Sequence, residues 1–367
     1  MADTSAAKGP AGAFQDEAKR SAQALANLVD EFLVDPTAPA LGVTPRDLVL
    51  RRGKARLYRY RPQRKRLYRV PYVIISWVGI SPKYVLDLMP GNSYIEHLVK
   101  QGHDVYLLDW GEPGEEDREF GFEECVFDVL PRAVERAREV SGAQEITLNG
   151  ICLGGTITTI YLALNPDAPV RNHVAIVAPI DADHGGLFKA WLNDFPAEQL
   201  IRVYGMVPIH LMGVGFKLLR PLGDAAAISA LWFNLARNDY VTMYKAMNRW
   251  ANDFIPMPGR FFIQLAQDIY AKNRLARGEL VVGGQRVDPS KIVQPLLVIA
   301  AKQDHIVPPL SARALLDLVS SEDKEYVELP GGHISVFAGR GASTNLWPKI
   351  DQWVGQRSKR VRLGKPA

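Results

Sequence analysis

Apolar and polar positions along the chain follow two alternating rhythms. Residues 70–78 form a short, nearly continuous apolar run, which predicts a buried strand. Residues 93–101 place apolar side chains at helical spacing, and 104–109 is again a compact apolar run, closed by Asp109-Trp110. A helical period covers 123–140. Cys125 falls on its apolar stripe with Leu130 and Val134 and reads as a packed small hydrophobe, not a reactive thiol. A strand over 145–149, a helix over 153–164 and a strand over 173–178 follow. Strands and helices in this alternation mean an α/β fold, with a mostly parallel sheet and right-handed crossovers.

The rhythm stops after Pro179. Residues 181–290 carry Trp191, Trp232, Trp250, Phe261 and Phe262 on helical patterns, without βα units. This stretch reads as a mainly helical cap inserted over the C-terminal edge of the sheet, where it would shield a site from water. The rhythm resumes with an all-apolar strand over 295–301, a helix over 310–319, a strand over 325–329 and a helix over 344–354. The expected division is an N-terminal region 1–50, a core of 51–180 and 291–357, a cap of 181–290 and a basic tail of 358–367.

The flanks read differently. Residues 1–12 are rich in Ala, Gly and Ser and are expected to be disordered. Residues 14–34 place Leu25, Leu28, Val29, Phe32 and Leu33 at helical spacing, up to Asp35-Pro36. That helix either covers the core or binds a partner or polymer. Residues 51–69 hold ten Lys or Arg and no acid. Alternation over 57–60 and 67–70, around a Pro62-Gln63 turn, predicts a β-hairpin whose charges keep a sheet edge soluble. The alternative is a basic approach surface for an anionic substrate. The tail beyond Arg357 is expected to be loose.

Composition narrows the classes. The chain has 367 residues, a net charge of +4, 47% hydrophobic and 23% charged residues, as in ordinary globular proteins. Its mild basicity suits a polyanionic ligand but is far too weak to argue for nucleic acid, and no nucleic-acid motif accompanies it. Two cysteines, Cys125 and Cys152, exclude a disulfide framework. No apolar signal core opens the sequence, and no apolar run approaches the ~20 residues that span a bilayer. With a chemically active thiol, the expected setting is a reducing cytoplasm.

That thiol is Cys152, at the centre of Thr147-Leu148-Asn149-Gly150-Ile151-Cys152-Leu153-Gly154-Gly155. The stretch reads as strand, sharp turn, helix. Gly150 and Gly154 flank the apex residue two positions away on either side, as in the nucleophile elbow of α/β-hydrolases, with cysteine in place of serine. The N-terminal amides and dipole of the following helix favour a thiolate there. A thiolate nucleophile needs a base, and the base an orienting acid, in the chain order nucleophile, acid, histidine. Of seven histidines, His97 and His103 precede the nucleophile and flank a surface helix, and His173 opens a strand at the wrong end. His184 and His210 lie in the cap, and His305 directly follows Asp304. His333, in a Gly-Gly-His loop after the last strand, remains as base, with Asp304 after the preceding strand as acid. The backbone amide of Leu153 is one expected oxyanion donor. Ile80, in the loop after Val78, is the candidate for the second, with Gly79 or Ser81 close behind.

These segments resemble one family. Gly150-Ile-Cys152-Leu-Gly154-Gly155 is similar to the lipase-like box of the polyhydroxyalkanoate synthases. Lys302-Gln303-Asp304-His305-Ile306-Val307-Pro308-Pro309 and Pro330-Gly331-Gly332-His333-Ile334 resemble that family's aspartate and histidine segments. So do Tyr84-Val-Leu-Asp-Leu88, Gln101-Gly-His-Asp-Val-Tyr106 with Asp109-Trp110, and Val281-Val-Gly-Gly-Gln-Arg-Val-Asp288. The chain departs at Ser81, where asparagine is usual, and at Ser335, where glycine is usual. The resemblance implies polymerisation of a short-chain 3-hydroxyacyl-coenzyme A, 3-hydroxybutyryl-coenzyme A above all, through an acyl group on Cys152. Coenzyme A leaves in this reaction, and no cofactor or metal is required. In the family Asp304 would also help activate the attacking 3-hydroxyl, and His305 would support Asp304. The length resembles the two-component class III enzymes more than class IV. That implies a companion subunit (PhaE-like, alternatively PhaR-like), a homodimer, and association with a cytoplasmic polyester granule. A cysteine thioesterase or esterase of the same fold is the alternative.

Overall fold

The computed structural model describes residues 40–219 and 223–362, together with Gln23. The expected helix over 14–34 and the N-terminal tract 1–12 lie outside the described residues.

The centre is an eight-stranded sheet. Its first two members, β1 (Arg46–Arg52) and β2 (Ala55–Tyr60), form an antiparallel hairpin at one edge. β2 also pairs antiparallel with β5 (Val105–Asp109). From there the sheet is parallel through β4 (Tyr72–Ile75), β6 (Ile146–Ile151), β7 (Val170–Ile176), β12 (Leu296–Ala301) and β13 (Lys324–Leu329). The order across the sheet is β1-β2-β5-β4-β6-β7-β12-β13. Strands β4, β6 and β12 are buried along their whole length, which is why they read as continuous apolar runs and not as alternating ones. The α/β class and the mostly parallel sheet are as the apolar rhythm predicts.

Helices α1 (Tyr94–Gln101), α2 (Leu130–Ser141) and α3 (Leu153–Leu164) cross between the first parallel strands. Ser93 caps α1 by accepting from the Glu96 amide at 2.8 Å, and Gly102, at φ 92°, closes it. Between β7 and β12 the chain is mainly helical: α4 (Gly186–Leu192), α5 (Ala197–Tyr204), α6 (Ile209–Leu219), α7 (Gly223–Phe233), α8 (Asn238–Ala251) and α9 (Gly259–Gln264). A π-helical turn over Leu265–Ala271 continues α9. Short ribbons β8 (Met206–Val207) with β9 (Met257–Pro258), and β10 (Val281–Val282) with β11 (Gln285–Arg286), interrupt this stretch. After β12 come α10 (Pro309–Arg313) and α11 (Leu315–Leu318), then α12 (Ser335–Ala338) and α13 (Leu346–Gln356) after β13. Among the described residues no helix is long and apolar enough to cross a membrane.

Several details differ from the sequence-based expectation. The edge hairpin is built from 46–60 around Gly53, not from 57–70. Residues of β3 (Arg66–Tyr68) instead pair with β14 (Arg360–Arg362), so this part of the tail is not loose. Two alternating segments cannot reveal which neighbour each adopts when the true partner lies 294 positions away. The segment 123–140 is not one regular helix: Glu124–Val129 is a π turn, with Cys125 buried on it as expected. The helix expected over 310–319 is broken at Ala314. His103 is not on a surface: it is buried, stacked on Tyr68 at 4.5 Å and bonded to Asp351 at 2.9 Å.

Candidate active site

Cys152 sits between β6 and α3 with φ 54° and ψ −128°, a left-handed conformation that a residue with a side chain adopts only under constraint. The constraint comes from close backbone approach. A Cβ on Gly154 would lie 2.1 Å from the Ile75 carbonyl oxygen, and one on Gly150 2.3 Å from Thr158 Oγ1. The glycines therefore let α3 press against β4 and β6. The Cys152 amide donates to the Ile176 carbonyl at 2.9 Å, which ties the apex to β7. The residue is 9% exposed.

Asp304 lies just past β12, its amide donating to Ala301 at 3.0 Å. Oδ1 accepts from the amides of Ile306 and Val307, each at 2.9 Å. Oδ2 pairs with His333 Nδ1 at 2.7 Å. Both carboxylate oxygens are thus satisfied in a side chain with no exposure, which fixes the ring it holds. His333 is buried, yet its pKa is raised. Burial alone would lower it, but Cys152 and Asp304 flank the ring and favour the imidazolium. The loops bearing Asp304 and His333 are tied together. Gln303 Oε1 accepts from the Gly331 amide at 2.6 Å, and the Gln303 amide donates to the Gly331 carbonyl at 2.9 Å. Ser335 Oγ accepts from the Gly332 amide at 2.8 Å, so the serine closes the His333 turn.

The structure therefore brings Cys152, His333 and Asp304 together. Leu153 begins α3 beside the thiol. Ile80 has φ 71°, next to Gly79 at φ 64°, in the loop after β4. The Ser81 amide is already engaged with the Gly79 carbonyl at 2.9 Å. His305 is half-buried, adjacent to Asp304 in the chain. The other histidines lie elsewhere. His173 is wholly buried in β7 and shares a 3.0 Å hydrogen bond with Thr158, and burial lowers its pKa to about 3. His184 pairs with Asp181 at 3.2 Å, while His97 packs on Trp347 and His210 on Tyr204.

Two residues of the site are not foreseen from the sequence. Tyr270, on the π turn, is buried near Cys152 and Asp304; burial and both neighbours raise its pKa. Lys83, 4% exposed, sits under the Ile80 loop, and burial pulls its pKa down to about 7 against the opposing pull of Asp109 and Cys152. Neither belongs to a motif. The signal in the sequence is weak: a lysine within a segment otherwise reading as apolar.

Comparison with known proteins agrees with this fold. A family model described as the alpha/beta hydrolase fold matches residues 89–339. A putative lipase from Sulfolobus solfataricus superposes with TM-score 0.56 at 14% identity, covering 85% of this chain and 99% of its own. A soluble variant of monoglyceride lipase from Saccharomyces cerevisiae gives 0.54 at 16% identity, covering 89% and 98%. Identities this low speak for the fold alone. The sheet, the elbow and the family match define an α/β-hydrolase-fold protein.

The sequence relatives are narrower. The poly(3-hydroxyalkanoate) polymerase subunit PhaC of Allochromatium vinosum is 32% identical over 345 residues, 93% of this chain and 96% of that protein. The subunit of the same name from Synechocystis is 30% identical over 335 residues, 86% of each. That of Haloferax mediterranei is 33% identical over 324 residues, and the match spans 87% of this chain but 65% of that longer protein. The chain belongs to the PhaC family of poly(3-hydroxyalkanoate) polymerases.

Proposed function

We propose that this chain polymerises 3-hydroxyacyl-coenzyme A into poly(3-hydroxyalkanoate), with the growing ester carried on Cys152. The observation that supports this most is a thiol at a strained elbow, beside a histidine whose Nδ1 is held by a fully buried carboxylate, in a chain of the PhaC family.

Each group has a step. Asp304 takes the Nδ1 proton of His333 as a hydrogen bond and so leaves Nε2 to face the sulfur. His333 removes the thiol proton, and the sulfur attacks the thioester carbonyl. The amides of Leu153 and Ile80 receive the developing oxyanion. As the tetrahedral centre collapses, the bond to coenzyme A sulfur breaks, and His333 returns its proton to the leaving thiolate. The 3-hydroxyl of a second substrate, its proton taken by His333, then attacks the acyl carbonyl on Cys152: the ester bond forms, the bond to Cys152 sulfur breaks, and His333 returns the proton to that sulfur. The lengthened chain, now on coenzyme A, returns to Cys152 by the same thioester exchange, and coenzyme A leaves. A sulfur nucleophile suits this cycle because its acyl form stays reactive toward an alcohol. Water would divert it, and the low exposure of Cys152 and His333 keeps bulk solvent away. The site uses protein groups throughout, with coenzyme A entering as part of the substrate.

Short-chain units, a homodimer and a PhaE-like companion subunit (alternatively PhaR-like) are part of this reading. So is attachment to a polyester granule, for which the exposed Val203, Val214, Leu218, Trp232 and Phe233 of α5–α7 offer an apolar surface.

The test is the product. Purified protein, with and without a PhaE-like companion subunit, is given 3-hydroxybutyryl-coenzyme A. Free coenzyme A together with turbid polyester is expected. Release of free 3-hydroxybutyrate alone would mean a thioesterase.

A further inference from the structure

The loop at 79–82 is held by its carbonyls. The Gly79 oxygen accepts from Lys83 Nζ at 3.1 Å and from the Ser81 amide at 2.9 Å. The Ile80 oxygen accepts from the Ile255 amide at 3.0 Å, and the Pro82 oxygen from Trp250 Nε1 at 2.9 Å, both donors in the helical insertion. The Ser81 oxygen accepts from Lys83 Nζ at 2.7 Å and Trp77 Nε1 at 2.9 Å. Four successive carbonyls are engaged, and one buried ammonium, 4.9 Å from the Trp77 ring centroid, holds two of them.

Direction matters more here than satisfaction. The Gly79 and Ser81 oxygens each have a second donor, so Lys83 is not needed to keep either from being orphaned. Burying an ammonium also costs stability. What the ammonium adds is geometric. In a trans peptide the C=O and the following N–H point in opposite directions. Holding the Gly79 carbonyl on Nζ therefore aims the Ile80 N–H to the other side. Gly79 and Ile80 are consecutive left-handed residues, and for a β-branched side chain that conformation persists only when the surroundings impose it. A Cβ on Gly79 would lie 2.8 Å from the Pro256 carbonyl, so the loop has no room to relax toward the insertion.

We propose that Lys83 is a positioning residue for acyl transfer: it clamps the Gly79 and Ser81 carbonyls and thereby orients the Ile80 amide as the second oxyanion donor. This rests on the reading of Cys152 as the nucleophile and of Ile80 as a donor. Lys83 touches neither sulfur nor substrate.

The full chain is compared with Lys83→Met by three readouts: first-turnover coenzyme A release from 3-hydroxybutyryl-coenzyme A, alkylation of Cys152 by iodoacetamide, and thermal unfolding. Acyl transfer passes through an oxyanion; alkylation at sulfur does not. Acyl transfer should fall about 10- to 100-fold in rate with little change in KM, somewhat less than the ~10²–10³ that follows complete loss of a donor. Alkylation should stay within about threefold, and Tm should not fall, because the variant removes a desolvated charge. Unchanged acyl transfer overturns the inference. So does a parallel loss of alkylation, which would mean that the charge acts on the sulfur and not on the loop. Should Lys83→Met not fold, Lys83→Gln takes its place: a selective loss of acyl transfer supports the inference, and an unchanged rate or a parallel loss of alkylation overturns it. If the wild-type chain releases no coenzyme A, it is the proposed function that fails, before any variant is compared.

Discussion

At the scale of the residue, the chemistry turns on which histidine is the base. His333 and His305 lie in comparable loops, but it is His333 whose Nδ1 lies 2.7 Å from Asp304 Oδ2, with Cys152 beside its ring. Replacing His333 with Gln should lower coenzyme A release by ~10³-fold or more, since triad members act as a unit. The same change at His305 should cost less than about tenfold. Steady-state assays of the two variants decide it, and equal or reversed costs would move the base to His305. Cys152, Asp304 and His333 are legible in the sequence because each follows a predicted strand in the order that acyl-transfer chemistry requires. Lys83 is not. Its role depends on two carbonyls whose direction is set by consecutive positive φ angles, and no side-chain pattern encodes that. Tyr270 stays hidden because a π turn shifts the helical register by which its face would be read.

At the scale of the element, β7 and α3 support the elbow from beneath, and His173 joins them through Thr158. His173 is buried and neutral, its pKa lowered by burial to about 3. An unfolded histidine titrates near 6.5, so between roughly pH 6.5 and 3 the unfolded chain binds a proton that the folded chain refuses. This residue therefore removes stability as pH falls through that window, by roughly 3 kcal/mol at pH 4. His173→Gln keeps a hydrogen-bonding group without the titration. Urea unfolding of both proteins across pH 7 to 4 should show a shallower acid decline in the variant; parallel curves would mean that His173 is not buried in its neutral form. The elements themselves are readable wherever burial is complete on both faces, as in β4, β6 and β12. They mislead at the basic edge. There alternation announces strands, but the pairing of β3 with β14 depends on contacts between segments 294 positions apart.

At the scale of the molecule, the sheet order places the ends of β4, β6 and β12 on one rim, so the Ile80 loop, Cys152 and Asp304 arrive there from distant parts of the sequence. The helical insertion is bonded to that rim through the Ile255 amide and Trp250 Nε1, which donate to the Ile80 and Pro82 carbonyls. Movement of the insertion would therefore be felt at the loop carrying Ile80. Helical periods and the loss of βα rhythm reveal that an insertion exists. Which of its residues touch the rim cannot be read from the sequence, since those contacts are hydrogen bonds to backbone groups.

All of this chemistry requires that polyester grow as a covalent chain on Cys152. Intact-protein and peptide mass spectrometry, after brief exposure to limiting 3-hydroxybutyryl-coenzyme A, reads that chain where it is attached. A ladder of whole 3-hydroxybutyryl units is expected on the peptide containing Cys152, lost in Cys152→Ala. Polymer formed with no adduct on that peptide, or with undiminished yield from Cys152→Ala, would contradict it.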